Sequence, residues 1–95
     1  MKNKICREAI ERFGVNTQMV KAIEEFSELQ KALAKFINRQ YVEKTDKELI
    51  DDIIDEIADC SIMLRQMTII FADEETINKI EDKKLDRLNQ KIINY

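Results

Sequence analysis

The stretch Glu43-Lys44-Thr45-Asp46-Lys47-Glu48 divides a chain of 95 residues whose apolar side chains otherwise recur at helical spacing. Thr45 and Glu48 have the S/T-x-x-E spacing of a capping box, in which each side chain accepts a hydrogen bond from the other residue's backbone N–H. The stretch therefore predicts the start of a new helix. A tight turn just before it would fold two long helices back on each other in antiparallel order.

Four helices are predicted from the apolar spacing, and no repeat or linker interrupts them. The two long central helices cover about residues 17–41 and 46–71, a shorter helix covers 3–13, and a last amphipathic helix follows Asp73. The predicted fold class is all-α, a four-helix chain with a long antiparallel central hairpin. The whole chain, 1–95, is expected to form a single domain.

Four residues mark the ends of these helices. Gly14 is the natural end of the first helix because glycine adopts a left-handed conformation at low cost. Asn16 or Thr17 is expected to cap the second helix, and Asp73 the fourth. These short polar side chains accept hydrogen bonds from the free N–H groups of a first helical turn.

The composition restricts the possible chemistry. The chain has no proline and one glycine, which argues against a β-rich fold and excludes a phosphate-binding glycine loop. It has no histidine, so catalytic triads and histidine metal ligands are excluded. A net charge of −3 offers no attraction to a nucleic acid polymer. Catalysis would have to rest on carboxylates, lysines, arginines and whatever the carboxylates bind.

The expected location is the cytoplasm. Cys6 and Cys60 are far apart in the sequence and fit two free thiols in a reducing compartment. The charged residues that follow Met1 do not resemble a signal peptide. The longest apolar run, residues 67–72, is too short to span a bilayer, so no membrane partner is expected.

Two acidic clusters, residues 24–28 and 55–59, lie in the central helices. Each contains two carboxylates three residues apart, which places them about 60° apart on a helix and at the edge of its apolar stripe. The pairs are Glu25 with Glu28, and Glu56 with Asp59.

The antiparallel hairpin would bring these two pairs to one level. Residues at one level of such a hairpin have numbers with a nearly constant sum, and Glu25 with Asp59 gives the same sum as Glu28 with Glu56. Four carboxylates in one layer repel one another strongly at the margin of an apolar core. A hard cation bound by oxygen ligands alone would remove this repulsion, so the sequence predicts a metal site.

The motif Glu24-Glu25-Phe26-Ser27-Glu28-Leu29, followed after 27 residues by Glu56-Ile57-Ala58-Asp59, resembles the MazG-like all-α nucleoside triphosphate pyrophosphohydrolases. Their motif is E-x-x-E, a spacer, then E-x-x-D, and the resemblance covers residues 18–67. It implies Mg²⁺, or Mn²⁺ in its place, as the cofactor and a nucleoside triphosphate as the substrate. Water would attack the α-phosphorus and release a nucleoside monophosphate and pyrophosphate. The implied metal ligands are Glu25, Glu28, Glu56 and Asp59. The chain has no tryptophan or histidine for a base pocket, which departs from some members.

Further candidate residues surround this motif. Glu25 is a candidate catalytic residue as well as a metal ligand. Its neighbour Glu24 is either an outer base that orients water or a solvated surface acid. Four residues are candidates for substrate binding, although each is also compatible with a structural or solvated role. These are Lys84 and Arg87, which form a basic row with Lys91 on the last helix, together with Lys31 and Gln18.

The length of the central helices predicts self-association. At 1.5 Å per residue each would be about 38 Å long, and two shorter helices cannot cover both apolar stripes along that length. We therefore expect a homodimer or a dimer of dimers. An alternative function is that of a non-catalytic helical dimer acting as a protein-interaction module.

Overall fold

The computed structural model describes residues 1–95 as four α-helices and one short 3₁₀ helix, without a strand. The elements are α1 (Lys2–Phe13), α2 (Val15–Ile37), the 3₁₀ helix (Arg39–Tyr41), α3 (Asp46–Phe71) and α4 (Glu74–Ile93). The predicted all-α class is confirmed. None of the four helices combines the length and the apolar composition of a membrane span.

The helices α2 and α3 form the centre of the fold, and α1 packs against both. The helices α2 and α3 run antiparallel, since Gln18 near the start of α2 contacts Gln66 near the end of α3. Further along, the Cys60 thiol contacts the backbone oxygen of Glu25 at 3.4 Å. The predicted helix hairpin is thus present.

The second helix ends earlier than predicted, at Ile37 and not at Tyr41. Asn38 Nδ2 donates to the Ala34 oxygen at 2.9 Å, and Arg39 donates to the Phe36 oxygen at 3.0 Å. These side chains satisfy carbonyls of the last turn that would otherwise need a continuing helix. The chain then leaves α2 through the 3₁₀ helix.

The cap predicted for the second helix was wrong. Gly14, at φ 93°, donates its N–H to the Ile10 oxygen at 2.9 Å and is itself the N-terminal cap of α2. Asn16 and Thr17 lie inside the first turn, and neither side chain makes a capping hydrogen bond. A single glycine with positive φ ends one helix and starts the next, so no linker residue remains to supply a side-chain cap.

The two other predicted caps are confirmed. Thr45 Oγ1 accepts from the Glu48 N–H at 3.1 Å, while Glu48 Oε1 accepts from the Thr45 N–H at 3.1 Å. At the start of α4, Asp73 Oδ1 accepts from the Thr76 N–H at 2.7 Å. Both caps connect residues three positions apart, which is why the local sequence predicts them.

Replacing Thr45 by alanine is expected to lower the free energy of unfolding by about 1 kcal/mol, because an N–H of the first turn of α3 loses its acceptor. Thermal unfolding followed by circular dichroism measures this change. Thr17→Ala is the matched control, since Thr17 lies in the first turn of α2 without a capping bond. Equal losses in the two variants would contradict the assigned cap.

The capping box should also make stability depend on pH. Hydrogen bonds from the backbone N–H and then the hydroxyl of Thr45 lower the pKa of Glu48 below its ordinary value. Its contribution is therefore complete above the unfolded-state pKa and is lost as pH falls through the lower folded-state pKa. Between about pH 6 and about pH 3, the wild type should lose more thermal stability than Glu48→Gln, which does not titrate. Parallel losses would show that the box contributes nothing through its charge.

The core of one chain is thin, with eight buried residues. They are Cys6, Gln18, Ala22, Ala32, Leu49, Cys60, Met63 and Gln66. Several large apolar residues of the two central helices remain exposed, among them Ile23, Ile37 and Ile57. The reason is that α1 covers only part of the hairpin, and α4 approaches it only near its start, where Ile77 and Asn78 line a cavity together with residues of α1 and α3. Self-association stays a prediction at this point.

Candidate metal centre

Three of the four predicted metal ligands converge between α2 and α3. One carboxylate oxygen from each of Glu25, Glu56 and Asp59 lies within 4.8 Å of the other two, and we call these three residues the acid cluster. Glu56 and Asp59 are one turn apart on α3, and Glu25 faces them from α2. The antiparallel register thus brings together the residues that the sequence places at one level.

Small side chains hold the two helices close at this level. Ala22 on α2 and Cys60 on α3 are both buried. The Cys60 thiol donates to the backbone oxygen of Glu25, and burial, followed by the charges of Glu56, Glu25 and Asp59, raises its pKa. Cys60 therefore stays a protonated packing residue that fixes the position of Glu25. Sequence reasoning did not assign it to the site, although its place directly after Asp59 was the available signal.

Glu56 is the central residue of the acid cluster. It is half-buried, and its Oε2 is inaccessible to solvent and has no hydrogen-bond partner. Burial raises the pKa of Glu56, and the charges of Asp59, Glu25, Glu28 and Asp55 raise it further. A buried carboxylate oxygen without a partner costs free energy. A bound cation would supply the missing partner and neutralise the neighbouring charges.

The donor set fits a hard divalent cation. All the converging ligands are carboxylate oxygens, the type that Mg²⁺ prefers, and no sulfur or nitrogen ligand lies among them. Asp59 retains access to solvent, so ligands other than protein oxygens can reach the cation.

The fourth predicted ligand, Glu28, lies outside the acid cluster. Its side chain is exposed, and its Oε1 accepts from Lys31 Nζ at 3.2 Å. Glu28 is nevertheless close enough to contribute to the raised pKa of Glu56. The structure therefore places Lys31, a predicted substrate residue, on Glu28, and a change of side-chain rotamer is needed before Glu28 can join the other three.

The remaining acids of α2 have different surroundings. Glu25 forms an ion pair with Lys21 at 3.5 Å, which partly balances its charge. Glu24 is exposed and lines a shallow depression near the start of α2 together with Lys21 and Thr17. It is not part of the acid cluster, so its role as an outer base stays a prediction.

Gln18, a candidate for either substrate binding or a structural role, lies in the core. It is buried, and its Nε2 donates to Gln66 Oε1 at 2.6 Å. This hydrogen bond joins α2 to α3 and gives each buried amide one partner, which is a packing function. Sequence reasoning missed Gln66, although Gln18 and Gln66 have the same residue-number sum as the acidic pairs.

The basic row on α4, which consists of Lys84, Arg87 and Lys91, is exposed to solvent. All three residues are exposed, and none forms an ion pair. The depression that they line consists of α4 residues alone, with Leu88 as the fourth member. Within one chain, the structure does not bring this row to the acid cluster.

Comparisons with protein-family models, with curated proteins and with solved structures gave no match for this chain.

Proposed function

We propose that the chain is a Mg²⁺-dependent nucleoside triphosphate pyrophosphohydrolase that acts in the cytoplasm. The observation that carries the proposal is the buried, unpartnered Oε2 of Glu56 beside the converging oxygens of Glu25 and Asp59. These residues occupy the motif positions that resemble the MazG-like enzymes. Free thiols at Cys6 and Cys60 accord with a reducing compartment.

The residues of the acid cluster would hold Mg²⁺, or Mn²⁺, with Glu28 as the fourth ligand. When bound, the cation supplies charge neutralisation at the triphosphate and a water molecule activated for attack. Two long helices fix Glu25, Glu56 and Asp59 before substrate arrives, so little reorganisation is needed at these three residues. Glu28 would exchange Lys31 for the cation, and this exchange would free the Lys31 ammonium for phosphate.

The reaction forms a bond between a water oxygen and the α-phosphorus and breaks the bond from that phosphorus to the oxygen bridging to the β-phosphorus. Pyrophosphate leaves, and the water's proton passes to a carboxylate or to solvent. Glu24 is the candidate acceptor, with the solvated surface acid as its alternative role. Lys84 and Arg87 remain candidates for holding the triphosphate.

A panel of canonical and damaged ribo- and deoxyribonucleoside triphosphates, assayed in millimolar Mg²⁺, tests this proposal. At least one member should give equal amounts of pyrophosphate and nucleoside monophosphate, and EDTA should stop the reaction. Glu43→Gln, at an exposed acid in the interhelical turn, is the control and should react like the wild type. Release of single phosphates, or no hydrolysis of any nucleotide, would contradict the proposal.

One observation favours a second candidate, a non-catalytic helical dimer that binds other proteins. Every residue from Phe71 to Tyr95 is exposed, including the apolar residues of α4. The two candidates differ in their response to metal. Without metal, removing charges of the acid cluster should stabilise the protein in either case, so only the Mg²⁺ response separates the two. An interaction module should be indifferent to Mg²⁺, whereas the enzyme should be stabilised by it.

A further inference from the structure

A cavity of about 480 Å³ lies where α1, α3 and the start of α4 meet. It is lined by Asn3 and Arg7 of α1, by one side of α3 between Ser61 and Ile69, and by residues at the start of α4 and in the loop before it. Sites for small molecules in proteins have volumes of about 300–1,000 Å³, so the cavity is large enough for one.

The cavity lies on the side of α3 that faces away from the metal centre. On a helix at about 100° per residue, Ser61, Arg65 and Thr68 point about 120–180° away from Glu56. The body of α3, about 10 Å across, therefore separates the cavity from the acid cluster. No residue of the acid cluster or of the basic row on α4 lines it. It is a separate site and not an extension of the metal centre.

Two arginines on the wall of the cavity have no acidic partner. Neither Arg7 nor Arg65 forms an ion pair. Arg65 is half-buried, and its Nη1 donates to Asn3 Oδ1 at 2.9 Å. This neutral acceptor fixes the position of the guanidinium but does not balance its charge. A charge that is partly removed from water and left unpaired costs free energy, and an anion in the cavity would offset that cost.

Two acids on the α4 side of the cavity restrict the charge of such an anion. Asp73 and Glu74 also line the cavity, so its formal charges cancel. Asp73 Oδ1 is already engaged, because it accepts from the Thr76 N–H as the cap of α4. A polyphosphate would be repelled by these two carboxylates, whereas a single carboxylate group is small enough to pair with the arginines alone. The wall therefore favours a ligand with one negative charge.

The rest of the wall favours a ligand with a hydrocarbon part. Leu64 and Ile69 of α3, Ala72 of the loop and Ile77 of α4 line the cavity beside the charged residues. Leu64 and Ile77 are 57% and 39% exposed, so a hydrocarbon chain between them would remove apolar surface of both from water.

We propose that this cavity binds a small organic monocarboxylate, with the carboxylate on Arg65 and Arg7 and the hydrocarbon part against Leu64 and Ile77. A guanidinium presents parallel N–H groups that match the two oxygens of a carboxylate. Arg65 is held by Asn3 before the ligand arrives, so little side-chain freedom is lost on binding. The site does not depend on the proposed catalytic function.

Titration of the ¹⁵N-labelled full-length chain with octanoate, without Mg²⁺, tests this site. Amide signals of the residues that line the cavity should shift, with a Kd below about 1 mM. Octanamide has the same hydrocarbon chain without the charge and should bind at least about 10-fold more weakly, because charge-assisted hydrogen bonds are about twice as strong as neutral ones.

Arginine variants separate the cavity from charge in general. Arg65→Gln should weaken octanoate binding at least about 10-fold, since the carboxylate loses its guanidinium partner. Arg12→Gln is the matched control and should bind like the wild type, because Arg12 is an exposed arginine of α1 that also lacks an ion pair but lies outside the cavity. Circular dichroism verifies that both variants keep their helices.

Three results would overturn the proposal. The first is equal binding of octanoate and octanamide, and the second is undiminished binding to Arg65→Gln. The third is displacement of octanoate by an equal concentration of pyrophosphate, which would assign the cavity to phosphate groups. The titrations contain neither metal nor nucleoside triphosphate, so the catalytic proposal can fail independently of this one.

Discussion

Replacing Glu56 by glutamine is expected to remove the response to Mg²⁺ and to reduce pyrophosphate release at least about 100-fold. Glutamine keeps the volume of the side chain but removes the charge from the central residue of the acid cluster. Removing a residue that only hydrogen-bonds to a metal ligand already lowers metal affinity or activity about 10–100-fold. Loss of a ligand itself should cost more, because the cation then has two convergent carboxylates in place of three.

Thermal unfolding provides a readout that does not require the right nucleotide. At ten times its dissociation constant, Mg²⁺ adds about 1.4 kcal/mol to the stability of the wild type. For a domain of this size that raises the Tm by roughly 6–11 °C. The Tm of Glu56→Gln should not change with Mg²⁺.

Without metal, the Glu56→Gln variant should be more stable than the wild type. The unpartnered Oε2 and the neighbouring charges of Asp59 and Glu25 then act only against folding, so removing the charge of Glu56 should raise the Tm above that of the wild type. Glu43→Gln, far from the acid cluster in the turn, should leave the Mg²⁺ response unchanged. A Glu56→Gln protein that still responds to Mg²⁺ like the wild type would exclude the acid cluster as the metal site.

Replacing Leu49 by alanine should cause the largest loss of stability, about 2–5 kcal/mol. Leu49 is 1% exposed and is the largest side chain that is fully buried in the chain. It lies in the first turn of α3, and its N–H donates to the Thr45 oxygen at 3.1 Å. Truncation leaves a cavity where the start of α3 joins the hairpin, in a core that has few other large residues to fill it.

Denaturant unfolding measures this loss, with Ile93→Ala as the control. Ile93 is 66% exposed at the end of α4 and lies off the apolar stripe, so its truncation should change stability by less than about 0.5 kcal/mol. The Tm of Leu49→Ala should fall by roughly 10 °C or more. A loss below about 1 kcal/mol would mean that the hairpin is not held by this contact.

The helix caps depend on local sequence, whereas the end of α2 does not follow from apolar spacing. Thr45 with Glu48, and Asp73 with Thr76, are three residues apart, and the structure contains both caps. The end of α2 was missed because hydrogen bonds from Asn38 and Arg39 to the preceding turn stop the helix, whereas the apolar spacing continues past them. Periodicity alone carries no information about such side-chain competition.

The acid cluster likewise has features that the sequence predicts and features that it does not. The levels of Glu25, Glu56 and Asp59 follow from the position of the turn and the antiparallel order, and the sequence contains both. The orientation of Glu28 does not follow from them, because its carboxylate can either point toward the acid cluster or form an ion pair with the ammonium of Lys31. Gln18 is similar, since its burial depends on Gln66, which is 48 residues away.

The sequence by itself determined the helices, most of their ends and the level at which the acidic residues meet. These features depend on hydrogen bonds and side-chain spacing over three or four residues, together with one turn. Only the tertiary structure decided which apolar surfaces are covered, since coverage depends on where α1 and α4 lie relative to the hairpin. An amphipathic helix carries the same stripe whether its own chain or another chain covers it, because burial of apolar surface has no directional preference.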